Sequence, residues 1–268
     1  MKPSLRFEKL ANDYAKGRPS YPDSVLKLLR TELGLQEGSI VADIGAGTGI
    51  FSAFLIRGKY EVIAVEPSDD MRMHCEHTLS SLHTTRPFSV IAGEANNTQM
   101  EDQSVDCVTA AQAFHWFDPA LSRTEFLRVL KPKGSIVFLW NTRRRERGFP
   151  QAFDLLLKSY AHDFAHIGHT GGQREIKIGA FFIEKIWKTR TYKHSWFVDF
   201  ETLLSFVRSI SYLKEIDICQ KEKLERDLFS LFVSYAKDNQ LELVFDTDIF
   251  YLDSKGLERL RCLAYRSK

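Results

Sequence analysis

The stretch from Ser39 to Phe51, SIVADIGAGTGIF, constrains the fold more than any other part of the chain. A short apolar run leads directly into Gly45, Gly47 and Gly49, and the apolar residues that follow recur at helical spacing. Glycine adopts the backbone conformations that sharp turns need, and its missing side chain lets ligand atoms approach the main chain. The pattern therefore predicts a strand, a bare glycine turn open to a ligand, and a helix.

This turn differs from the two common glycine-rich phosphate-binding motifs. A dinucleotide fingerprint has its third glycine where Ile50 stands, and a phosphate loop has a Lys-Ser or Lys-Thr pair that is absent here. The remaining pattern is Asp43 followed by glycines at alternate positions. Two alternatives stay open at this point: a plain strand–helix turn without a ligand, and an NAD-type oxidoreductase, against which Ile50 and the early third glycine argue.

Strands and helices alternate over the following hundred residues. Ser68 and Asp118 are suitable N-caps, and Pro119 stands at a first helical position. Continuous apolar strands that alternate with helices indicate an α/β fold with a parallel sheet covered on both faces. The predicted strands are 39–45, 60–67, 88–95, 104–113 and 135–142, and the predicted helices are 49–59, 68–82 and 118–134.

The regular alternation of strands and helices ends after Thr142. The sequence predicts two more strands of the same sheet with a helical cap between them, and no separate domain. The predicted helices are 149–169, 199–213 and 221–239, the predicted strands are 184–198 and 241–253, and 170–179 is predicted to be a loop.

The composition is that of an ordinary globular protein. Of the 268 residues, 44% are apolar and 27% are charged, and 37 basic against 35 acidic residues give a net charge of +2. This balance gives no electrostatic case for a duplex nucleic-acid partner or an anionic membrane, and neither is expected. No apolar run is long enough to span a bilayer, and the start lacks a signal-peptide pattern. The protein is expected to be cytoplasmic, as a monomer or homodimer, with free thiols at Cys75, Cys107, Cys219 and Cys262.

Further polar residues are predicted at the ends of strands. Glu66 follows the second strand, 17 residues after Gly49, where a carboxylate can accept both ribose hydroxyls of a nucleoside. Glu94 follows the third strand, where it could accept an adenine amine. The fourth strand ends in AAQAFHWFD, residues 110–118, a dense aromatic cluster. Phe114, Trp116 and Phe117 could equally be core residues, and His115 a structural histidine.

Five segments in order resemble the class I S-adenosylmethionine-dependent methyltransferases with a methyltransferase type 11 domain: VADIGAGTGIFS, VIAVEPSDDM, IAGEANN, VDCVTAAQAFHWFD and LRVLKPKGSIVFLW. FEKLANDYAKGRPSYP and AQAFHWFD look like the small-molecule branch that includes the trans-aconitate methyltransferases. The resemblance covers residues 7 to 142 and is looser afterwards. It implies a doubly wound, Rossmann-like sheet of seven mostly parallel strands in the order 3-2-1-4-5-7-6, the last strand antiparallel, with a C-terminal helical cap.

The resemblance also implies S-adenosyl-L-methionine as the cofactor. Residues 1–38 would form a helical lid, 39–142 the cofactor-binding core, and 143–268 the remaining strands and the substrate cap of the same domain. One departure concerns the adenine side, where NTQMED replaces the family's usual L-P-x-P-x segment. The implied cofactor-binding residues are Asp43, Gly45, Ala46, Gly47 and Gly49 for the methionyl part, Glu66 for the ribose, Pro67, Met71, Glu94 and Ala95 for the adenine, Gln112, Ala113 and Phe114 beneath the methionine, and Tyr14 and Arg18 closing over it.

A methyl acceptor other than a carboxylate would need a general base, and His115 is the candidate. Trp116 is a candidate substrate residue. Arg143 and Arg145, in the basic turn after strand five, are predicted to bind a small acidic acceptor, because guanidinium groups match carboxylates; a solvated basic turn is the alternative. No metal is expected, although His162 and His166 have helical spacing. A non-catalytic cofactor-binding module also stays open.

Overall fold

The computed structural model describes residues 11–160, 171–210, 213 and 216–266. Within them, one seven-stranded sheet is covered by helices. The strands are β1 (Ile40–Ile44), β2 (Glu61–Val65), β3 (Phe88–Ile91), β4 (Val105–Ala111), β5 (Leu130–Arg143), β6 (Lys188–Val198) and β7 (Leu241–Leu252). The helices are α1 (Ala11–Gly17), α2 (Asp23–Thr31), α3 (Ile50–Arg57), α4 (Asp69–Ser80), α5 (Pro119–Val129), α6 (Phe149–Tyr160), α7 (Gly171–Phe182), α8 (Phe200–Arg208), α9 (Ile218–Tyr235) and α10 (Ser254–Arg266), with a short 3₁₀ turn at Phe114–Trp116.

The strand order is β3-β2-β1-β4-β5-β7-β6, which confirms the predicted order. The first five strands pair in parallel, and β7 is antiparallel to both of its neighbours, β5 and β6. The chain runs outward from β1 to β3 on one side and then returns to place β4 on the other side of β1. Ligands of open α/β sheets bind at such a reversal, beyond the carboxyl ends of the strands.

The sheet separates two hydrophobic clusters, because successive side chains of a strand point to opposite faces. Val41 of β1 belongs to one cluster, whereas Ala42 and Ile44 belong to the other. A third cluster lies under the cap and joins α6, α8 and α9 to β7, with Phe153 and Leu228 at its centre. The cap is therefore anchored on the sheet by its own core.

Local capping follows the sequence. The Ser68 side chain accepts a hydrogen bond from the Met71 amide and begins α4, as predicted. The Asp118 carboxylate accepts from the amides of Ala120 and Leu121 at 2.9 Å and begins α5. Both helices begin at the carboxyl edge of the sheet, so these caps also fix the chain beside the predicted ligand site.

Two local predictions were wrong, and one helix was not predicted. The predicted loop 170–179 forms most of α7, because buried Ile178, Phe181 and Phe182 hold it against the sheet despite its glycine pair. Strand β5 begins at Leu130, not at residue 135, since Leu130 already pairs with Val105 of β4. Helix α10, which buries Leu257 and Leu260, was not predicted. The predicted helix 149–169 is confirmed to Tyr160; the rest of it, with His162 and His166, lies outside the described residues. None of the helices described is long and apolar enough to cross a bilayer.

Candidate functional site

A cavity of about 580 Å³ opens at the carboxyl ends of the central strands. Its floor is formed by the residues that follow β1, β2, β3 and β4, and its far wall comes from β5 and β7. Helix α8 and the segment that contains α1 cover it. The predicted site residues that line it are Tyr14, Arg18, Gly45, Ala46, Gly47, Glu66, Pro67, Met71, Glu94, Ala95, Gln112, Ala113, Trp116 and Arg143. The sheet thus brings together residues spread over about half of the chain.

The glycine turn is bare where it faces the cavity. Gly47 has a backbone φ of +58°, and a Cβ built on it would meet nothing within 4 Å. Gly45 has a φ of +71°, and a Cβ there would lie 2.7 Å from the Cβ of Ala113. Gly47 therefore leaves space for a ligand. Gly45, in contrast, must be a glycine because the chain after β4 approaches it closely.

Glu66 sits at the end of β2 with its carboxylate against the turn. Its Oε2 accepts from the Gly47 amide and its Oε1 from the Ser68 amide, each at 2.9 Å. Burial raises the pKa of this carboxyl above its usual value, and the two amide hydrogen bonds oppose that rise. An ionised carboxylate has about four lone-pair sites. Since the amides take two of them, two remain for hydroxyl donors in the cavity.

Asp43 lies beneath the turn and does not line the cavity. Its fully buried carboxylate accepts from Ser52 Oγ at 2.7 Å and from Thr109 Oγ1 at 3.2 Å. Burial raises the pKa of Asp43 to about 6, against the two hydroxyl hydrogen bonds, which lower it. The expectation that Asp43 contacts a cofactor is thus corrected: it ties β1 to α3 and β4 and supports the turn from below.

Gly49 and Phe114 are two further corrections, since neither lines the cavity. Gly49, with a φ of +84°, is the N-cap residue of α3 and packs against Cys75, whose Sγ would lie 2.9 Å from a Cβ there. Phe114 is fully buried and stacks on Phe138 with ring centroids 4.0 Å apart. Both residues therefore shape the site by packing.

The 3₁₀ turn after β4 directs its residues in different directions. Trp116 lines the cavity, whereas His115 does not. The Trp140 indole donates to His115 Nδ1 at 3.3 Å, on the side of β5. The Lys177 ammonium of α7 donates to the carbonyls of His115 and Phe117 at 2.7 and 3.1 Å, which holds the turn in place. The position of His115 argues against its predicted role as a base and favours the structural alternative.

The segment after α1 contacts the region of α8 through Arg18. Its guanidinium lies between the rings of Tyr14 and Phe206, 4.8 and 5.2 Å from their centroids, and donates to the Ser209 carbonyl at 3.2 Å. A Cβ on Gly17 would lie only 2.3 Å from the Phe206 amide nitrogen. Helix α1 and helix α8 are therefore in direct backbone contact, and together they close one side of the cavity.

The two predicted substrate arginines share an internal partner, Asp154 of α6. Arg143 lines the cavity and pairs through Nη2 with Asp154 Oδ1, and its guanidinium lies 4.7 Å from the centre of the Phe153 ring. Arg145 does not line the cavity and pairs through Nε with Asp154 Oδ2 at 3.1 Å. The prediction for Arg145 is corrected, because this side chain is exposed and directed to the outer side of the pair.

Asn141, near the end of β5, is a central residue that the sequence reasoning missed. Its side chain accepts from Thr247 Oγ1 at 2.7 Å and donates to the Ser20 carbonyl at 3.1 Å. Its own carbonyl accepts from the Gln112 side chain at 2.9 Å. Its place at the end of a predicted strand is the one feature of the sequence that could have indicated its role.

The other lining residues that were missed are Pro19, Tyr21, Thr48, Ile50, Phe51, Ser68, Gly93, Asn96, Ala111, Phe117, Asp118, Phe206 and Phe245.

The residues present fit a nucleoside cofactor with a polar tail. The cavity offers a bare turn at Gly47, an acid at Glu66 and the buried Thr48 hydroxyl, which has no hydrogen-bond partner within the described residues. Across those same residues, no group of three His, Cys, Asp or Glu side chains is arranged to hold a metal ion.

Comparison with known sequences agrees with this geometry. A family model described as a methyltransferase domain matches residues 42–138. An uncharacterized methyltransferase of Mycobacterium tuberculosis is 37% identical over 147 residues, which are 54% of this chain and 56% of the relative. The match thus spans about half the length of that relative. An uncharacterized methyltransferase-like protein of Schizosaccharomyces pombe is 28% identical over 257 residues, covering 91% of this chain and 93% of the relative.

Solved structures show the same fold. A candidate type II methyltransferase from Anaeromyxobacter dehalogenans superimposes with a TM-score of 0.62 at 18% identity, over 88% of this chain and 98% of that one. A candidate methyltransferase from an antibiotic biosynthesis pathway of Anabaena variabilis gives 0.59 at 21% identity, over 87% and 98%. The sheet order and the glycine turn define the class I methyltransferase fold. Residues 42–138 of this chain match the methyltransferase domain, and the described residues share the fold of these methyltransferases.

Proposed function

We propose that this protein is an S-adenosyl-L-methionine-dependent methyltransferase that acts on a small molecule. One observation carries the proposal: the buried Glu66 carboxylate stands at the end of β2, beside the bare face of Gly47, with lone pairs left over. A carboxylate in this place suits the two hydroxyls of a ribose. An NAD-type enzyme would need the same acid, but the turn lacks the third glycine of the dinucleotide fingerprint.

The cavity divides into two regions. The cofactor half comprises the residues after β1, β2 and β3; in the proposal Glu66 holds the ribose, Pro67, Met71, Glu94 and Ala95 hold the adenine, and Gly45, Ala46 and Gly47 hold the methionyl part. Gln112 and Ala113 lie beneath that part, and Tyr14 and Arg18 cover it, with Arg18 meeting the cofactor carboxylate. The acceptor half comprises Trp116, Asn141, Arg143, Phe206 and Phe245, and it shares Tyr14 with the cofactor half.

S-adenosylmethionine, when bound, supplies an electrophilic methyl group on a sulfonium. The chain must then hold an acceptor in line with that group and exclude water, and such positioning supplies up to roughly 7–11 kcal/mol of a barrier. Since His115 lies outside the cavity lining, the described acceptor half contains no histidine base. This favours an acceptor whose reacting atom is already unprotonated at neutral pH, such as a carboxylate, in accord with the small acidic acceptor that the sequence suggested.

The decisive experiment is calorimetry with S-adenosylmethionine, S-adenosylhomocysteine and NAD. Hydrogen bonds to a charged acceptor contribute about 1.5–3 kcal/mol each. Glu66→Gln should therefore weaken S-adenosylmethionine binding at least tenfold. Glu61→Gln, at the other end of the same strand and outside the cavity lining, is the matched control and should bind normally. Binding of NAD alone, or unchanged affinity in Glu66→Gln, contradicts the assignment.

A cofactor-binding module without catalysis is the second candidate, because α1 and α8 already meet over the cavity. A transfer assay with radiolabelled cofactor over carboxylic acids, phenols, amines and RNA separates it from an enzyme. Cofactor binding without transfer to any of them would favour the module, and transfer confined to RNA would contradict a small-molecule acceptor.

A further inference from the structure

The cavity carries opposite charge on its two sides. Among the described residues, the acids that line it are Glu66, Glu94 and Asp118, and the first two follow β2 and β3. Arg143 is the last residue of β5, which lies across β1 and β4 from them. The acceptor half therefore presents a guanidinium, whereas the cofactor half presents two carboxylates together with the guanidinium of Arg18. Asp118, the third acid, follows Trp116, and its Oδ1 accepts from the Ala120 and Leu121 amides. A protonated amine would therefore find in the acceptor half only a carboxylate that already caps α5.

Asp154 limits the charge that this guanidinium can offer. Its side chain is 9% exposed, and its two oxygens bind Arg143 and Arg145 separately. Arg143 is 12% exposed, whereas Arg145 is 61% exposed and faces solvent. Two guanidiniums and one carboxylate leave one formal positive charge. The neighbouring Arg144 adds none to the cavity, because it pairs with Glu146 and Asp246 at 3.2 and 3.5 Å.

The rest of the acceptor half is aromatic. Tyr14 comes from α1, Trp116 from the 3₁₀ turn, Phe206 from α8 and Phe245 from β7. Rings that converge from four elements form an apolar wall, and such walls bind the hydrocarbon part of a ligand while a few polar groups fix its orientation. Arg143 is the charged group set in this wall, with its own guanidinium face placed over Phe153.

We propose that the acceptor half takes a molecule with an apolar body and a single acidic group, and that Asp154 sets this limit of one charge. The inference rests on the proposed function, and it narrows the acceptor class from small acids in general to amphipathic monoacids. A second carboxylate at the same end of the ligand would face a guanidinium group already bound to Asp154, with no further positive charge to balance it. Asp154 is thus a specificity-determining residue that contacts Arg143 and lies outside the cavity lining.

The test uses ligands with matched chains on the full-length protein: decanoate, octylmalonate, which carries two carboxylates on one carbon, and decylamine. Each is titrated by calorimetry with and without S-adenosylhomocysteine. Decanoate should bind at least tenfold more tightly than either of the other two. Tighter binding of octylmalonate or decylamine would overturn the proposal. Because the readout is binding, a protein that binds decanoate as expected but ignores S-adenosylhomocysteine would contradict the proposed function alone.

Substitutions test whether Asp154 causes the preference for a single acidic group. Asp154→Asn should improve octylmalonate binding about fivefold and narrow its gap to decanoate. Asp246→Asn removes an equal charge next to Arg144, outside the cavity lining, and should leave the ratio unchanged. Because Asp154 is buried and its variant could unfold, the exposed Arg145→Ala serves as a second test, with decanoate binding reduced two- to threefold. The role of Asp154 would be contradicted if Asp154→Asn left the ratio of decanoate to octylmalonate affinity unchanged. If Asp154→Asn is unfolded, it would be contradicted by unaltered decanoate binding in Arg145→Ala.

Discussion

The two halves of the cavity are built in different ways. The cofactor half uses main-chain amides and acids that stand directly after neighbouring parallel strands, so each contact is fixed by a few consecutive residues. The acceptor half uses side chains from α1, β5, β7 and α8, which are held by pairs such as Arg143 with Asp154. A site made from local turns varies little once the sheet is formed, whereas a site made from distant side chains can change its ligand by single substitutions.

The largest effect is expected at the glycine turn of the cofactor half. Gly47→Val places a branched side chain in the space of a ligand, because nothing else lies within 4 Å of that position. Cofactor binding should fall a hundredfold or more, measured by calorimetry. The left-handed φ also costs about 1–2 kcal/mol in any residue with a Cβ. Gly34→Val carries the same backbone cost at a φ of +71° in open space away from the cavity, and should bind normally. Normal binding by Gly47→Val would mean that the turn is only structural.

The next effect concerns the acid beneath that turn. Burial raises the pKa of Asp43 from its usual 3.8 to about 6 in the folded protein. Between these values the folded state holds more protons than the unfolded state, so the free energy of unfolding should decrease as pH rises from about 4 to about 6. The full decrease is roughly 3 kcal/mol. Asp43→Asn should lose this contribution, so urea unfolding of the two proteins should differ by an amount that changes with pH. If the difference in the free energy of unfolding between the wild type and Asp43→Asn is constant from pH 4 to 7, Asp43 does not have a raised pKa in the folded protein.

A smaller effect tests the contact of lid and cap. Gly17→Ala forces α1 away from α8, because the new Cβ would lie 2.3 Å from the Phe206 amide nitrogen. Amide exchange over residues 11–22 should become faster and cofactor affinity should fall about tenfold. In the wild type, the cofactor should slow exchange over the same residues severalfold, if they act as a lid. Gly179→Ala in α7, where the nearest atom is 3.9 Å away, is the control and should alter neither quantity. Equal exchange with and without cofactor would contradict the lid.

The positions of the glycine turn and of Glu66 at one edge of the sheet could be predicted because the information for them is local. An apolar run before Gly45 and an acid after the second strand suffice to place both groups at one edge of a parallel sheet. The same reasoning failed for Asp43, since the sequence does not show whether a strand-end carboxylate turns outward or, as here, inward to Ser52 and Thr109.

The acceptor half could not be predicted to the same depth. The sequence showed a basic turn at 143–147 but not that Asp154, one helix later, would bind two of its arginines. It likewise showed aromatic residues after β4 but not which would turn to the cavity, because the 3₁₀ turn is fixed by Lys177 from a distant helix. Pairs of residues far apart in the sequence determine which side chains face the acceptor half, and no local sequence pattern predicts such pairs.

Asn141 can complete its hydrogen bonds only after the last strand has been synthesised and has joined the sheet. Its three hydrogen bonds reach residues 121, 29 and 106 positions away, at Ser20, Gln112 and Thr247. Strand β7, which carries Thr247, is near the end of the chain and inserts between β5 and the already synthesised β6. During synthesis, the strands around the glycine turn are complete long before this late insertion can occur, and contacts of such separation form slowly. A nascent chain can thus hold the strands of the proposed nucleoside site on the ribosome before β7 adds Thr247 and Phe245 to the acceptor side.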